Sequence, residues 1–268
     1  MAKLIEEIPS IEWIHSRSAG IDYVTSPALS QCNIVMTNAK GSFSSTLAEY
    51  NMMAIAYFAK DLPRLLRQKN DKNWEKYSVE EIRGKTLGII GYGDIGRACA
   101  KLAKAYGMNV VAQRRNPSLS ENDPYADIVY GNGQETTNKI MSECDYILIA
   151  APLTDATRGM VNKEAFDNIQ KNAVLINVGR GPIIDEIAMI AALKEGKFKG
   201  AALDVQATEP LPVSSELWEL ENVLLSPHNM DQTATFNMEA TDFFLKENLP
   251  RFVRGETLLN PVDKASGY

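Results

Sequence analysis

The chain has 268 residues, enough for one large domain or two modest ones that each bury a core. Its composition, 45% hydrophobic and 23% charged, is that of an ordinary globular protein, and a net charge of −6 argues against nucleic-acid backbones or anionic membranes as partners. Cys32, Cys99 and Cys144 lack CxxC spacing, so neither a disulfide framework nor a metal site is expected; no apolar run reaches membrane-span length and the opening residues carry no secretory signal, which together predict a cytoplasmic protein.

Two strand-like pieces, residues 11–15 and 33–38, come first. Residues 46–66 then read as one long helix rich in Met, Ala and Leu, running into a polar, basic stretch at 67–76. Beyond it, short apolar runs alternate with helical patterns: 86–90, 109–112, 128–130, 146–151, 173–178, 200–205 and 222–225. Most of these runs are continuously apolar, as strands buried on both faces of a parallel sheet must be. Between the first two, residues 94–106 set Ile95, Ala98, Cys99, Leu102 and Ala103 on one helical face and Arg97, Lys101 and Lys104 on the other, with Gly107 where a C-cap is needed. Residues 185–194 repeat the pattern and end at Gly196, and the tail, 236–253, is helical with an interruption at Pro250. The alternation predicts an α/β fold, a Rossmann-type doubly wound parallel sheet. Residues 46–232 are assigned to this sheet-bearing unit, and the flanks, 1–45 and 233–268, to a second, smaller lobe.

Gly91-Tyr92-Gly93-Asp94-Ile95-Gly96 is a GxGxxG that follows an apolar strand and opens an amphipathic helix, the context dinucleotide binding requires. Gly91 would permit the tight turn, Gly93 the close approach of a pyrophosphate and Gly96 the packing of helix on strand. Asp94 and Ile95 would lie at the positive end of that helix, facing the phosphates. The second strand runs into Arg114 and Arg115, and no acidic residue occurs from Arg97 through Ser120. A guanidinium there suits a 2′-phosphate, which favours NADP(H); NAD(H) bound without an acidic anchor is the alternative.

Further motifs lie along the chain in order: Ser18-Ala19-Gly20-Ile21-Asp22, Thr37-Asn38-Ala39-Lys40-Gly41, Ala48-Glu49, Asn177-Val178-Gly179-Arg180-Gly181, Ala202-Leu203-Asp204-Val205, Glu209-Pro210-Leu211-Pro212 and Ser226-Pro227-His228. Together they resemble the D-2-hydroxyacid dehydrogenase family, which includes glyoxylate/hydroxypyruvate reductases and phosphoglycerate dehydrogenases. The resemblance implies a catalytic set of Arg180, Glu209 and His228. It implies that Asp204 contacts the nicotinamide carboxamide and that Thr46, Pro152 and Val178 line the cofactor cleft. Backbone groups around Ala19 and Gly20, with Arg180, would bind the substrate carboxylate. The chemistry is coherent: a guanidinium binds a 2-oxo acid, an imidazole gives and takes a proton, and a carboxylate fixes the imidazole. His15, inside a strand-like run, reads as structural.

The same resemblance implies a flavodoxin-like α/β substrate domain, here incomplete, because family members carry strand–helix units ahead of the point where this chain starts. The expected reaction is reversible reduction of a small 2-oxo acid such as glyoxylate or hydroxypyruvate. The competing readings are a dinucleotide-sensing, corepressor-like protein and an impaired truncated paralogue. A two-fold dimer around residues 46–59 is also implied, although on pattern alone that stretch reads equally as a core helix.

Overall fold

The computed structural model describes residues 2–21, 32–42 and 44–264; Asp22, which closes the first family-like motif, lies outside them. The chain divides into two compact units. The larger comprises Ser44–Ala151 and Ala156–Met230; the smaller comprises Met1–Phe43, Pro152–Asp155 and Asp231–Tyr268.

The smaller unit holds strands β1 (Trp13–Ser16) and β2 (Val35–Asn38), paired in parallel. Thr37 Oγ1 accepts from Trp13 Nε1 at 2.9 Å and lies 2.8 Å from His15 Nδ1. The His15 ring packs against Phe243 and Phe244, with centroids 6.0 and 5.3 Å away, so it is a structural residue of this lobe. The tail is helical, as expected, but Pro250 does not interrupt it. The turns Ala234–Asp242, Phe243–Asn248 and Leu249–Val253 follow one another, and the middle one is widened to a π turn. Pro250 lies directly after the π turn, at the start of the last segment.

In the larger unit seven strands form one parallel sheet: β3 (Thr86–Ile90), β4 (Asn109–Gln113), β5 (Ile128–Tyr130), β6 (Tyr146–Ile149), β7 (Val174–Asn177), β8 (Gly200–Leu203) and β9 (Val223–Leu225), in the order β5-β4-β3-β6-β7-β8-β9. The doubly wound sheet expected from the alternating runs is therefore present. Ile147, Leu148, Ile149, Val174, Leu175 and Ile176 have no exposed surface, which is why these runs show no period-two alternation. Each such side chain contributes about 1.5–3 kcal/mol on burial.

Helix Asp94–Ala105 closes as the sequence predicts. Gly107 takes φ 74°, its N–H bonds Lys104 O, and Met108 N–H bonds Ala103 O. Helix Glu186–Lys194 ends the same way around Gly196, with Asp185 capping its start through Ala188 N–H. The single helix expected over residues 46–66 is instead two, Ser44–Ala59 and Leu62–Asn70. Pro63 would clash with the carbonyl four residues back inside a continuous helix, so the chain turns at Asp61, φ 50°, whose side chain caps the second helix at Arg64 N–H. Among the described residues no helix is long and apolar enough to cross a membrane.

Candidate active site

β3 has β4 on one side and β6 on the other, so the chain leaves its carboxyl end at the switch point of the sheet, where open α/β folds take their ligands. The glycine turn sits there. Gly91 has φ 101°, and a Cβ on it would lie 2.4 Å from Ala151 N; a Cβ on Gly96 would lie 2.5 Å from Gly91 O. Gly93 differs: nothing stands within 4 Å of where its Cβ would be. Helix Asp94–Ala105 starts at Gly93 without a side-chain cap, with Asp94 exposed and Ile95 half-buried in the first turn. A tight turn, one open glycine and an uncapped helix start fit a dinucleotide pyrophosphate.

Arg114 and Arg115 follow β4. Arg114 is half-buried and its Nη1 donates to Ser120 Oγ at 2.5 Å, while Arg115 is exposed. The loop bearing Ser120 is tied back to the glycine turn: the Tyr92 hydroxyl donates to Asp123 Oδ1 at 3.1 Å, and Arg97 Nε donates to Asp123 Oδ2 at 2.5 Å. Burial and the Asp123 carboxylate push the Tyr92 hydroxyl above its ordinary range, so it stays a donor. Sequence reasoning missed Ser120 and Asp123, which carry no motif.

Past β7 the chain turns at Gly179, where a Cβ would lie 2.8 Å from Ala151 O. Asn177, fully buried, pins that turn from within: its Oδ1 accepts Gly179 N–H at 3.0 Å and its Nδ2 donates to Arg180 O at 3.2 Å. Arg180 is thereby delivered half-exposed beyond the strand end, its Nη1 donating to Gly179 O at 2.9 Å. Val178, 6% exposed, lies on the same turn, its N–H on Ile149 O.

Past β8 and β9 lie the other two predicted catalytic residues, and they meet. Glu209 Oε2 is 2.7 Å from His228 Nδ1, while Glu209 Oε1 accepts Gln206 N–H at 3.0 Å. His228 adopts φ 50° and its N–H donates to Asp204 O at 2.9 Å. An ionised carboxylate only accepts, so Nδ1 carries a proton and Nε2 is the nitrogen left to exchange one with a substrate. Arg180 joins the pair through its neighbour: a Cβ on Gly181 would lie 1.9 Å from the carbonyl carbon and oxygen of Gln206, so the Arg180 turn lies directly on the Glu209 loop.

Asp204 is 2% exposed. Its Oδ1 accepts from Ser226 Oγ at 2.7 Å and Asn229 N–H at 3.2 Å. Burial, chiefly, pushes the Tyr50 hydroxyl up to about 12. That hydroxyl lies 3.4 Å from Ser226 Oγ. Thr46 Oγ1 donates to Met230 O at 2.8 Å. Three of the predicted residues belong to the smaller unit. Pro152 is exposed there, and the turn carrying Ala19 and Gly20 is tied to β2 by Asn38 Nδ2, which donates to Ala19 O at 2.7 Å.

Residues 52–229 match the family profile described as D-isomer specific 2-hydroxyacid dehydrogenase, NAD binding domain. The chain is 33% identical over 267 residues to a D-3-phosphoglycerate dehydrogenase of Methanocaldococcus jannaschii, covering 97% of this chain but only 49% of that one, so it spans about half of that enzyme. It is 32% identical to a glyoxylate/hydroxypyruvate reductase of Arabidopsis thaliana, covering 97% of this chain and 79% of the relative. A crystal structure of a D-isomer specific 2-hydroxyacid dehydrogenase from Xanthobacter autotrophicus, in complex with NADPH and MES, superposes with a TM-score of 0.85 at 29% identity, covering 98% of this chain and 81% of that one.

Proposed function

The chain belongs to the D-isomer specific 2-hydroxyacid dehydrogenase family, and from that membership we propose an oxidoreductase that moves a hydride between NADPH and a small 2-oxo acid of the glyoxylate or hydroxypyruvate kind. The observation that carries this reading is the 2.7 Å contact between Glu209 Oε2 and His228 Nδ1. It leaves Nε2 of His228 as the proton donor to the substrate carbonyl oxygen during reduction, and as the acceptor in reverse. Glu209 holds the ring and stabilises the imidazolium when it forms. Arg180 binds the substrate carboxylate and polarises the carbonyl. Backbone groups at Ala19 and Gly20 complete carboxylate binding.

Gly91, Gly93, Asp94, Ile95 and Gly96 would hold the pyrophosphate, and Thr46, Pro152, Val178 and Asp204 the nicotinamide end. The dinucleotide supplies the hydride when bound. The experiment is to follow absorbance of NADPH and NADH with glyoxylate, hydroxypyruvate and pyruvate. Consumption of NADPH with either of the first two supports the reading; tight cofactor binding without turnover overturns it.

NADPH over NADH is proposed because Arg114 is held in place by Ser120 and the β4 end carries no carboxylate to repel a 2′-phosphate. Arg114→Asp should move the ratio of kcat/KM values for NADPH and NADH toward NADH by at least about tenfold, the loss of one charge-assisted contact plus a new repulsion. An unchanged ratio would remove Arg114 from the phosphate site.

A homodimer is proposed around residues 46–59, where Met53 is 43% exposed. Light scattering should give twice the chain mass, and a monomer at micromolar concentration would remove the claim. A cytoplasmic location fits the buried thiols of Cys99 and Cys144.

A further inference from the structure

Gln206 lies two residues past Asp204 and belongs to none of the motifs that bind cofactor or substrate, yet it is 6% exposed and bonded on three sides. Its side-chain Nε2 donates to Leu203 O at 3.2 Å and to Ser226 O at 3.3 Å. Both amide hydrogens are thereby used to join the carboxyl ends of β8 and β9, the two strands from which Glu209 and His228 depart. Its backbone N–H donates to Glu209 Oε1 at 3.0 Å, the oxygen opposite the one that meets His228. Its carbonyl is the surface on which Gly181, next to Arg180, lies without room for a Cβ. Glu186 Oε2 accepts the following N–H, that of Ala207, at 3.0 Å and holds the same loop from helix Glu186–Lys194.

We propose that Gln206 is a positioning residue for the acid–base pair, fixing the separation of the β8 and β9 ends and aiming the Glu209 carboxylate at His228 Nδ1. The proposal rests on the reading of Glu209 and His228 as that pair. The Glu209 side chain is 34% exposed and His228 38%, so surrounding packing alone does not lock either one. One oxygen of Glu209 is clamped by Gln206, which leaves only the other to turn toward the imidazole. Without the side-chain amide, Ser226 O loses this donor, Leu203 O keeps only its bond from Ser226 N–H, and the loop that carries the clamp is loosened. A neutral amide is suited to this place because it can donate to two carbonyls at once; a carboxylate there would face two acceptors and could donate to one only when protonated.

The test uses two variants and two readouts. The chain has two histidines, so selective nitrogen-15 labelling gives two imidazoles, and the proton on His228 Nδ1 reports the bond to Glu209 without any catalysis. In Gln206→Leu that proton should be lost to solvent exchange. Its kcat should fall between about tenfold and about 100-fold, as for loss of a residue that orients a catalytic group, while KM for NADPH stays within about twofold. In Gln206→Glu, kcat relative to wild type should climb as pH falls through the titration of the new carboxyl, which burial raises. Retention of the Nδ1 proton with unchanged kcat in Gln206→Leu overturns the proposal. If that variant does not fold, a pH-independent ratio in Gln206→Glu overturns it. Loss of the proton in Gln206→Leu, in a protein whose wild type shows no turnover, would leave the positioning role standing and remove the dehydrogenase reading instead.

Discussion

His228→Ala should lower kcat by about 10² to 10⁴ while the affinity for NADPH, measured by fluorescence titration, stays within about threefold. The size follows from what is removed. Nε2 is the nitrogen that the Glu209 contact leaves for proton exchange, and His15, the other histidine in the chain, sits in the smaller unit against Thr37 and two phenylalanines. The hydride reaches a carbonyl carbon only as its oxygen takes a proton, so loss of the donor is felt in kcat and not in cofactor binding. The backbone needs a control, since His228 holds φ 50°, where most side chains are strained. Asn tolerates that region better, so His228→Asn separates chemistry from strain. An equal loss in both variants assigns the effect to the imidazole; a much smaller loss in His228→Asn would assign it to the turn. Arg180→Ala should act differently, raising KM for the 2-oxo acid as well as lowering kcat, because a substrate-binding cation is lost.

The division of labour between these residues explains which parts of the site the sequence discloses. The sheet was legible because burial on both faces leaves an unbroken apolar run at most of its strands, and the glycine turn because backbone crowding at Gly91 and Gly96 excludes any other residue. Arg180, Glu209 and His228 were legible only through the spaced motifs, since a lone arginine, glutamate or histidine has no period. The supports were not legible. Gln206 and Glu186 act by bonding main-chain groups of segments distant in sequence, at Ser226 and Ala207, and nothing local marks an amide that will bridge two strand ends. On the cofactor side Ser120 and Asp123 hold the side chains of Arg114, Tyr92 and Arg97, and no motif marks them either.

The helix break shows the other kind of gap. Asp61-Leu62-Pro63 was a readable stop signal, a cap residue two places before a proline, but it was outweighed by the apolar content of the whole stretch from 46 to 66. Here a local covalent constraint overrides the average: a proline ring cannot share space with a helical carbonyl, whatever the hydrophobicity on either side.

Gly181→Ala should be the most damaging glycine-to-alanine change among the glycines whose surroundings are described. Its new Cβ would stand 1.9 Å from the carbonyl carbon and oxygen of Gln206 and 2.4 Å from Ala207 N, and all three are backbone atoms that cannot rotate away. Either the Arg180 turn or the Glu209 loop must retreat by more than about 1 Å, and a displacement of that size at a catalytic constellation costs about 100-fold in kcat/KM. Overpacking of about 1–3 kcal/mol should accompany it, read as a fall of several degrees in Tm. Gly93→Ala makes the opposite case. It meets nothing within 4 Å, so Tm should stay within about 1 °C of wild type, while affinity for NADPH falls because the added methyl stands where the pyrophosphate must come close. The two glycines thus separate two demands on one residue type: at 181 the backbone of the protein itself needs the space, and at 93 the ligand does. A Gly181→Ala protein with wild-type Tm and kcat/KM would mean that the two loops do not lie against each other, and the joint placement of Arg180 with Glu209 and His228 would fall with it.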